Sequence, residues 1–411
     1  MEKRNTFNIF SVTKRLIILC ILVLPFMIFN LKEGYCEQKN TVESPTMKTL
    51  RVAILDNPNL PEKASMWFDY EQAYLAGIEM AKVAAKKQDI LLEYKPFFYG
   101  NKPLDVLKQI PNVKAWRPDF ILGPHYSNQF LLLKKYFPDV VVLSAYASDP
   151  ELADLPSNFY SIFPPDDTLI KSLSEFMNVQ FANKNIFMIL QADCKNCNDM
   201  AELLKANYKR LNNKVKITET SFIGNKIEDV NIARVTKGYQ EGDIIFLEPE
   251  NYYSYMNLMP RIVAFLKKSN VAFFTALDAW GGSDATQKFL GPVPFENYEG
   301  YRITSLLLDD TTDMHLKEFK KLFFEHYKKM PKNPVSYMTF LAMMSVTTAL
   351  EKFPEKNQNL TMQVQVLKSF EKARYQHPNW FRPKQYGIYR YSDNSAKQGE
   401  VLIKTVPAFG S

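Results

Sequence analysis

Two cysteines in this 411-residue sequence are close enough along the chain to act together as one chemical group. Cys194 and Cys197 lie in a loop predicted at residues 191–198 and are separated by two residues. Such a pair forms a disulfide, acts as a redox dithiol or binds a metal with further ligands. No histidine lies near the pair, and the aromatic and Gly-Pro residues typical of redox pairs are missing around it. We predict a disulfide and no bound metal or other cofactor, and leave open whether the disulfide is structural or redox-active.

The sequence argues against two classes of function. It contains no G-x-S-x-G elbow, Walker A loop, H-E-x-x-H or G-x-G-x-x-G motif, and its four histidines leave little scope for general-base catalysis. The formal charge of +7 is spread over many lysines, with no basic block interleaved with aromatic residues. We therefore expect neither an enzyme nor a partner made of nucleic acid.

A second set of candidate residues lies directly after the predicted strands. In open α/β sheets, ligands bind at the carboxyl ends of the strands and at the N-termini of the following helices. This rule selects five strand-end segments, which are residues 123–127, 144–148, 191–198, 248–251 and 276–280. They contain hydroxyls, acids and aromatic rings, which are groups suited to binding a small polar molecule.

The strands and helices that would position these segments alternate along the chain. Apolar runs such as residues 51–56 and 140–144 predict strands, and a one-sided apolar pattern predicts a helix at residues 67–86. Prolines interrupt the alternation between residues 150 and 165, and a second series follows. This order predicts parallel sheets covered by helices on both faces. About 360 residues follow residue 48. A single hydrophobic core stops growing beyond roughly 250 to 300 residues, so we expect this part of the chain to form two lobes.

The N-terminal residues have the pattern of an export signal. Basic residues precede an apolar run at residues 16–29, which is shorter than the roughly 20 residues of a membrane-spanning helix. We predict a signal peptide at residues 1–36, cleaved near Cys36, followed by a tether at residues 37–48, and hence a periplasmic location. An uncleaved anchor is one alternative. A lipoprotein acylated at Cys36 is another, less favoured because residues 33–35 fit a lipobox poorly.

Several stretches occur in the order found in one family of binding proteins. DFILGPHYS at residues 119–127 is followed by VVVLSAYASDPEL at 140–152 and NFYSIFPPDD at 158–167. The late helix pair at residues 319–352 and the C-terminal hairpin at 386–406 continue the series. This order resembles the leucine/isoleucine/valine-binding group of type I periplasmic solute-binding proteins of ABC transporters, through nearly all of the chain after the signal.

The resemblance implies an α/β fold of two Rossmann-like lobes, in which parallel sheets flanked by helices are joined by three hinge crossings. The ligand would bind in the cleft between the lobes. We assign residues 49–164 and 305–392 to the N-terminal lobe, and residues 165–304 and 393–411 to the C-terminal lobe.

The resemblance also implies roles for single residues. Ser127 falls on the serine that holds the α-carboxylate of the ligand, and Ser148 on a hydroxyl residue that contacts the head group. Asp278 falls where a carboxylate receives the ammonium. Tyr70, with a possible slip to Trp67, aligns with an aromatic residue that covers the ligand. In the alternative interpretation the two serines cap helices, Asp278 is a solvated acid and Tyr70 is a core residue.

The remaining candidate residues either differ from the residue usual in the family or have two possible roles. Tyr146 places a large ring where the family is often small, so that it fills the pocket or stacks on a flat ligand. Glu250, in the acidic loop at residues 248–251, favours a cationic or polyamine-like ligand or caps the following helix. His125 is a structural residue or a ligand contact. Trp280 packs at a hinge or covers the ligand.

These observations predict an extracytoplasmic solute-binding protein of an ABC importer, which closes by hinge motion on an amino acid or a similar small molecule. Its partners would be that ligand and a membrane permease, and we expect a monomer. The alternative is a ligand sensor or an activator of cell-wall enzymes that has the same fold and no transporter.

Overall fold

Among the described residues, the first sheet has five strands, and all of them are parallel. They are the first five strands of the described chain and end at residue 161. Their order in the sheet is β2-β1-β3-β4-β5. β3 and β4 are short and buried at every residue, as expected for apolar runs covered on both faces. The strands are β1 (Lys48–Asp56), β2 (Ile90–Phe98), β3 (Phe120–Leu122), β4 (Val141–Ser144) and β5 (Phe159–Ser161).

The structure is a computed structural model. It describes residues 47–56, 65–100, 102–224, 227–249, 252–267, 271–276, 298–304, 313–331, 334–357, 359–377, 385–391 and 400–407. The predicted signal peptide, and the predicted tether up to residue 46, lie outside these ranges. Among the helices within them, none is both long enough and apolar enough to cross a lipid bilayer.

Helices cover both faces of the first sheet. Val52 and Ile54 of β1 face one apolar cluster and Ala53 and Leu55 face another, because alternate residues of a strand point to opposite faces. The first cluster contains residues of the long helix α1, and the second contains residues of α2 and α3. These helices are α1 (Ser65–Lys86), α2 (Ile110–Trp116) and α3 (Ser127–Leu133), with 3-10 turns at Pro103–Gln109 and Pro150–Asp154.

The second sheet has seven strands among the described residues, in the order β12-β11-β10-β9-β8-β6-β7. Strands β6 to β10 pair in parallel, whereas β11 is antiparallel to both of its neighbours. The strands are β6 (Ile186–Gln191), β7 (Ile217–Phe222), β8 (Ile244–Glu248), β9 (Val271–Thr275), β10 (Tyr298–Thr304), β11 (Gln385–Tyr391) and β12 (Glu400–Pro407). The helices between these strands are α4 (Asp166–Gln180), α5 (Lys195–Leu211), α6 (Ile232–Val235) and α7 (Tyr252–Leu266), with a 3-10 turn at Ile227–Asp229.

Three late helices return to the first sheet. α9 packs along α1, α8 contacts α1 as well, and α10 contacts β4. The chain therefore passes between the two sheets three times within the described ranges, after β5, after β10 and after α10. We call the first sheet with α1 to α3 and α8 to α10 the first lobe, and the second sheet with α4 to α7 the second lobe. The late helices are α8 (Met314–Tyr327), α9 (Pro334–Lys352) and α10 (Met362–Gln376).

Two sequence-based assignments are wrong in detail. Residues up to 392 were placed in the N-terminal lobe, but β11 lies in the second sheet because Gly387–Tyr391 pair with Gly300–Thr304 of β10. The third crossing therefore precedes β11. Residues 191–198 were predicted as a loop, but α5 begins at Lys195, because the side chain of Cys194 caps its first turn.

Gly77 allows α1 and α9 to pack closely. A Cβ atom at this position would lie 2.4 Å from the carbonyl oxygen of Ser336 and 2.7 Å from the Cβ of Thr339. The first of these atoms is backbone, so it cannot move away by a change of rotamer. The absence of a side chain at Gly77 therefore sets the distance between these two helices.

We expect Gly77→Ala to lower the free energy of unfolding by about 1 to 3 kcal/mol, because the added methyl group overpacks the contact between the helices. Urea denaturation measures this loss. Gln72→Ala, on the exposed face of the same helix, is the matched control and should leave the midpoint nearly unchanged. Equal midpoints for Gly77→Ala and the wild-type protein would contradict the close packing.

Candidate functional site

Ser127 joins two strand-end segments of the first lobe. Its Oγ accepts hydrogen bonds from the backbone N–H of Ser148 at 2.9 Å and of Asp149 at 3.1 Å. A serine hydroxyl has two acceptor lone pairs and one proton to donate. Both lone pairs are occupied, so Ser127 can offer a ligand only its proton, which suits an anionic group such as a carboxylate.

The helix-capping interpretation of Ser127 is wrong. Ser127 is the first residue of α3, and the residue at the N-cap position is Tyr126, which makes no side-chain capping bond. Ser148 does not hold the N-cap position of the following 3-10 turn either, because Asp149 does so, through a bond from the backbone N–H of Glu151. The structure brings the two predicted serines together for another purpose, the linking of two loops.

Two further serines fix the loop after β4. The Ser144 hydroxyl donates to the carbonyl oxygen of Pro124 at 3.0 Å and accepts from the backbone N–H of Ala147 at 2.9 Å. The Ser161 hydroxyl donates to the carbonyl oxygen of Ala147. The backbone of residues 144–148 is therefore held from both sides. Sequence reasoning selected Ser127 and Ser148 and missed the two serines that support them.

The Tyr146 side chain is directed into the first lobe. It is buried, and its hydroxyl donates to the carbonyl oxygen of Val335 in the first turn of α9, at 2.8 Å. Its ring lies beside the rings of His125 and Phe163, with centroids 5.6 and 6.4 Å away. The hydroxyl of Tyr146 thus has a partner within the protein, and the large ring serves the packing of the lobe.

His125 is also part of this packing. Its Nε2 lies 3.2 Å from Oδ1 of Asp56, the last residue of β1, and its ring meets the ring of Tyr74 edge to face at 4.7 Å. The side chain is 6% exposed. These contacts fit the structural interpretation of His125 better than direct contact with a ligand.

Glu248 links the ends of two strands of the second lobe. It is the last residue of β8 and 1% exposed. Its Oε2 accepts from the Thr275 hydroxyl at 2.9 Å and from the backbone N–H of Ala276 at 2.8 Å. These bonds tie β8 to β9, so this acid does not cap α7. The sequence signal for Glu248 was an acid at the end of an otherwise apolar strand.

Asp166 connects the two lobes. It is the first residue of α4, only 5% exposed, and its backbone N–H donates to the carbonyl oxygen of Ser148 at 2.8 Å. Burial raises the pKa of the Asp166 carboxyl to about 7, although a hydrogen bond from the Ser148 hydroxyl opposes the shift. The charges that raise this pKa further belong to Asp149, Asp167 and Asp199.

The charge of Asp166 also acts on Glu248. Burial raises the pKa of Glu248 to about 8, against the hydrogen bonds from Ala276 and Thr275, and the charge of Asp166 raises it further. Ser148, a predicted site residue of the first lobe, therefore bonds to a buried acid of the second lobe, Asp166. The charge of Asp166 in turn acts on a second buried acid, Glu248. Neither Asp166 nor Glu248 was among the predicted ligand-binding residues.

The predicted disulfide is confirmed. Cys194 and Cys197 are bonded to each other, and Cys194 is the N-cap of α5, where its sulfur accepts from the backbone N–H of Cys197 at 3.1 Å. Both residues are buried, which favours a structural role over thiol exchange. Within the described ranges, no group of three or more histidine, cysteine or acidic side chains has the arrangement of a metal site.

The other predicted residues are described only in part or not at all. Trp67 and Tyr70 lie in α1, as predicted, but the positions of their side chains lie outside what the structure describes. Glu250, Asp278 and Trp280 lie outside the described residues altogether.

Several solved structures resemble the chain, although no family model and no curated protein matches it. The leucine-binding protein LivK from Thermotoga maritima gives a TM-score of 0.68 at 11% identity, covering 87% of this chain and 99% of that one. The substrate-binding protein LivJ of a branched-chain amino acid transporter from Streptococcus pneumoniae, in complex with isoleucine, gives 0.66 at 13% identity, covering 86% and 99%. A branched-chain amino acid ABC transporter periplasmic ligand-binding protein from Burkholderia xenovorans gives 0.65 at 14% identity, covering 88% and 97%.

The chain has the type I periplasmic-binding-protein fold. The predicted fold class, two helix-flanked α/β lobes, is thereby confirmed. The three solved proteins are all described as binding proteins. At 11 to 14% identity the likeness shows the fold alone.

We expect the ligand-free protein to lose stability as the pH rises. An acid with a higher pKa in the folded than in the unfolded state binds more protons when folded, so the free energy of unfolding falls with pH between the two values. For Asp166 this range runs from 3.8 to about 7, and for Glu248 from 4.5 to about 8. The stability of Glu248→Gln relative to the wild-type protein should therefore rise between pH 5 and pH 8.5 by at least about 1.4 kcal/mol, the worth of one pKa unit.

Urea denaturation at pH 5 and pH 8.5 tests this, with the difference between variant and wild-type protein as the measured quantity. Glu318→Gln replaces an exposed acid on α8 and serves as the control. If Glu248→Gln shows the same difference from the wild-type protein at both pH values, burial does not raise the pKa of Glu248.

Proposed function

We propose that the protein is an extracytoplasmic solute-binding protein of an ABC importer, which captures an amino acid or a similar small molecule in the cleft between its lobes. The observation that supports this most strongly is the Ser127 hydroxyl. It occupies the strand end at which this fold binds ligands, and its proton is the one group it has left to offer. Solved proteins of the same fold include one in complex with isoleucine.

The proposed site treats the two ends of an amino acid differently. Ser127 of the first lobe would bind the α-carboxylate, Ser148 would contact the head group, and Asp278 of the second lobe would accept the α-ammonium. Removal of either charged group from water requires a partner, because an unpaired buried charge costs several kcal/mol. In this proposal Tyr70 or Trp67 would cover the ligand together with Trp280, and Glu250 would favour a ligand with a cationic group.

Export and delivery belong to the same proposal. The basic and apolar pattern of residues 1–36 supports secretion to the periplasm with cleavage near Cys36. The disulfide agrees with an oxidising compartment. The loaded, monomeric protein would then pass its ligand to a membrane permease.

We expect Ser127→Ala to weaken binding at least tenfold, about 1.4 kcal/mol, because the variant loses the proton offered to the carboxylate. A thermal-shift screen of amino acids, amides, polyamines and small carboxylates first finds a ligand. Calorimetry then measures its affinity. Ser161→Ala is the matched control, since it weakens the same loop from within the lobe.

Equal losses in the Ser127 and Ser161 variants would show that loop order, and not contact with Ser127, determines affinity. A screen in which no amino acid raises the melting temperature would remove the amino-acid part of the proposal.

We expect the protein to contract when it binds, because three chain crossings join the lobes and hinge closure around a ligand is a common motion of such proteins. Small-angle scattering with and without saturating ligand measures this as a fall in the radius of gyration. Bovine serum albumin treated with the same ligand controls for effects of the solution. An unchanged radius at saturation would contradict hinge closure.

A further inference from the structure

α8 buries one side of its surface in the first lobe and exposes the other. The centroid of the Phe319 ring lies 5.2 Å from that of Phe340 in α9, so the buried side belongs to the core. On the opposite side, four residues spaced three or four apart form a line along the helix, and a lysine follows at the C-cap. We call these five residues the α8 stripe, which consists of Met314, Lys317, Lys321, Phe324 and Lys328.

Both ends of α8 are fixed by hydrogen bonds. The carboxylate of Asp313 accepts from the backbone N–H of His315 at 2.9 Å and from the Tyr337 hydroxyl at 2.8 Å. At the other end, the backbone N–H of Lys328 donates to the carbonyl oxygen of Phe324 at 2.9 Å. The α8 stripe therefore has a defined position on the surface of the first lobe.

The α8 stripe combines exposed apolar side chains with positive charge. Met314 is 69% exposed and Phe324 is 51% exposed, although the same helix has a buried side for apolar residues. The three lysines of the stripe are exposed as well. The two acids of α8, Glu318 and Glu325, lie to one side of the line. Glu325 is 4.0 Å from Lys321, and such a contact between exposed groups contributes little.

The chemistry of the α8 stripe favours an anionic lipid surface over a protein partner. A second copy of the chain would bring lysines against lysines. The centres of protein interfaces favour arginine and contain few lysines, whereas every cation of the stripe is a lysine. A lysine ammonium is a point charge on a flexible stem, so it can bind headgroup phosphates that have no fixed arrangement. Exposed phenylalanine beside lysine is typical of helices that lie in the membrane interface.

We propose that the α8 stripe docks the first lobe on a membrane surface that contains anionic phospholipid. Its lysines contact the headgroup phosphates, and Phe324 and Met314 enter the interfacial layer below them. The 14 residues of α8 make the helix about 21 Å long, so it can lie along the surface. This contact uses no residue of the proposed ligand site. It would hold an exported protein near the membrane without a covalent anchor, whatever its ligand.

Co-sedimentation with lipid vesicles tests the proposal. The protein is expressed with its own export signal, recovered after export, and mixed with vesicles of phosphatidylcholine alone or with one third phosphatidylglycerol. We expect at least about tenfold more binding to the anionic vesicles. Raising the salt concentration from about 0.1 M to about 1 M shortens the Debye length from roughly 10 to 3 Å and should remove most of this difference.

Two variants separate the charges of the α8 stripe from its aromatic ring. Lys317→Gln, Lys321→Gln and Lys328→Gln combined should lower binding to the anionic vesicles at least about tenfold. Phe324→Ala should lower it at least about threefold, because less apolar surface leaves water. The salt dependence should persist in Phe324→Ala, since this variant keeps the three lysines.

Matched controls lie in the second lobe. Phe265→Ala removes a phenylalanine that is also 51% exposed. Lys171→Gln, Lys209→Gln and Lys237→Gln combined remove the same charge from exposed positions on three separate segments. Both controls should bind the anionic vesicles as the wild-type protein does.

Several outcomes would overturn the membrane contact. Equal binding to both kinds of vesicle is one, and an equal loss in the two lysine variants is another. Binding to polyglutamate without binding to anionic vesicles would assign the α8 stripe to an acidic protein. A dimer in sedimentation equilibrium that the stripe lysine variant loses, again without vesicle binding, would assign it to a second copy. None of these results bears on the proposed ligand site, which calorimetry tests separately.

Discussion

A carboxyl group that is buried without a counter-charge is the constraint on which the centre of this molecule depends. Glu248 ends a strand inside the second lobe, and Asp166 begins the first helix after the chain leaves the first sheet. The fold keeps both from water and supplies only neutral donors. Serine and threonine hydroxyls and backbone N–H groups are therefore arranged around them, and these bonds connect β8 to β9 and α4 to the loop after β4.

Most of the fold could be predicted from the sequence, because buried segments are made of apolar residues at recognisable spacing. The runs that became β3, β4 and β8 are apolar at nearly every position, and α1 shows its buried face at helical spacing. The sequence pattern of a strand does not show which other strand it pairs with. β11 has the pattern of a strand in either sheet, and only its antiparallel pairing with β10 assigns it to the second lobe.

The site was predicted only in part, for a similar reason. Ser127 could be found because its place after a strand and before a helix is visible in sequence. Its bonds to two backbone N–H groups, which leave it only a proton to donate, depend on a loop 21 residues away. The sequence predicts Glu248 as one member of an acidic loop, because it does not show that Thr275 and Ala276, at the end of the neighbouring strand, donate hydrogen bonds to this carboxyl. Tyr146 likewise became a packing residue through a bond to Val335, 189 residues later.

The proposed site would favour one orientation of the ligand. In the proposed function the first lobe would offer the Ser127 proton and the second lobe an acid, so a ligand with opposite charges at its two ends would have one favourable orientation. In that orientation the carboxylate of the ligand would gain a donor and its ammonium an acceptor, so neither charge would be buried without a partner. An apolar ligand would offer neither charge. The charges of the two lobes, more than the size of the cleft, would then determine which molecules the protein retains.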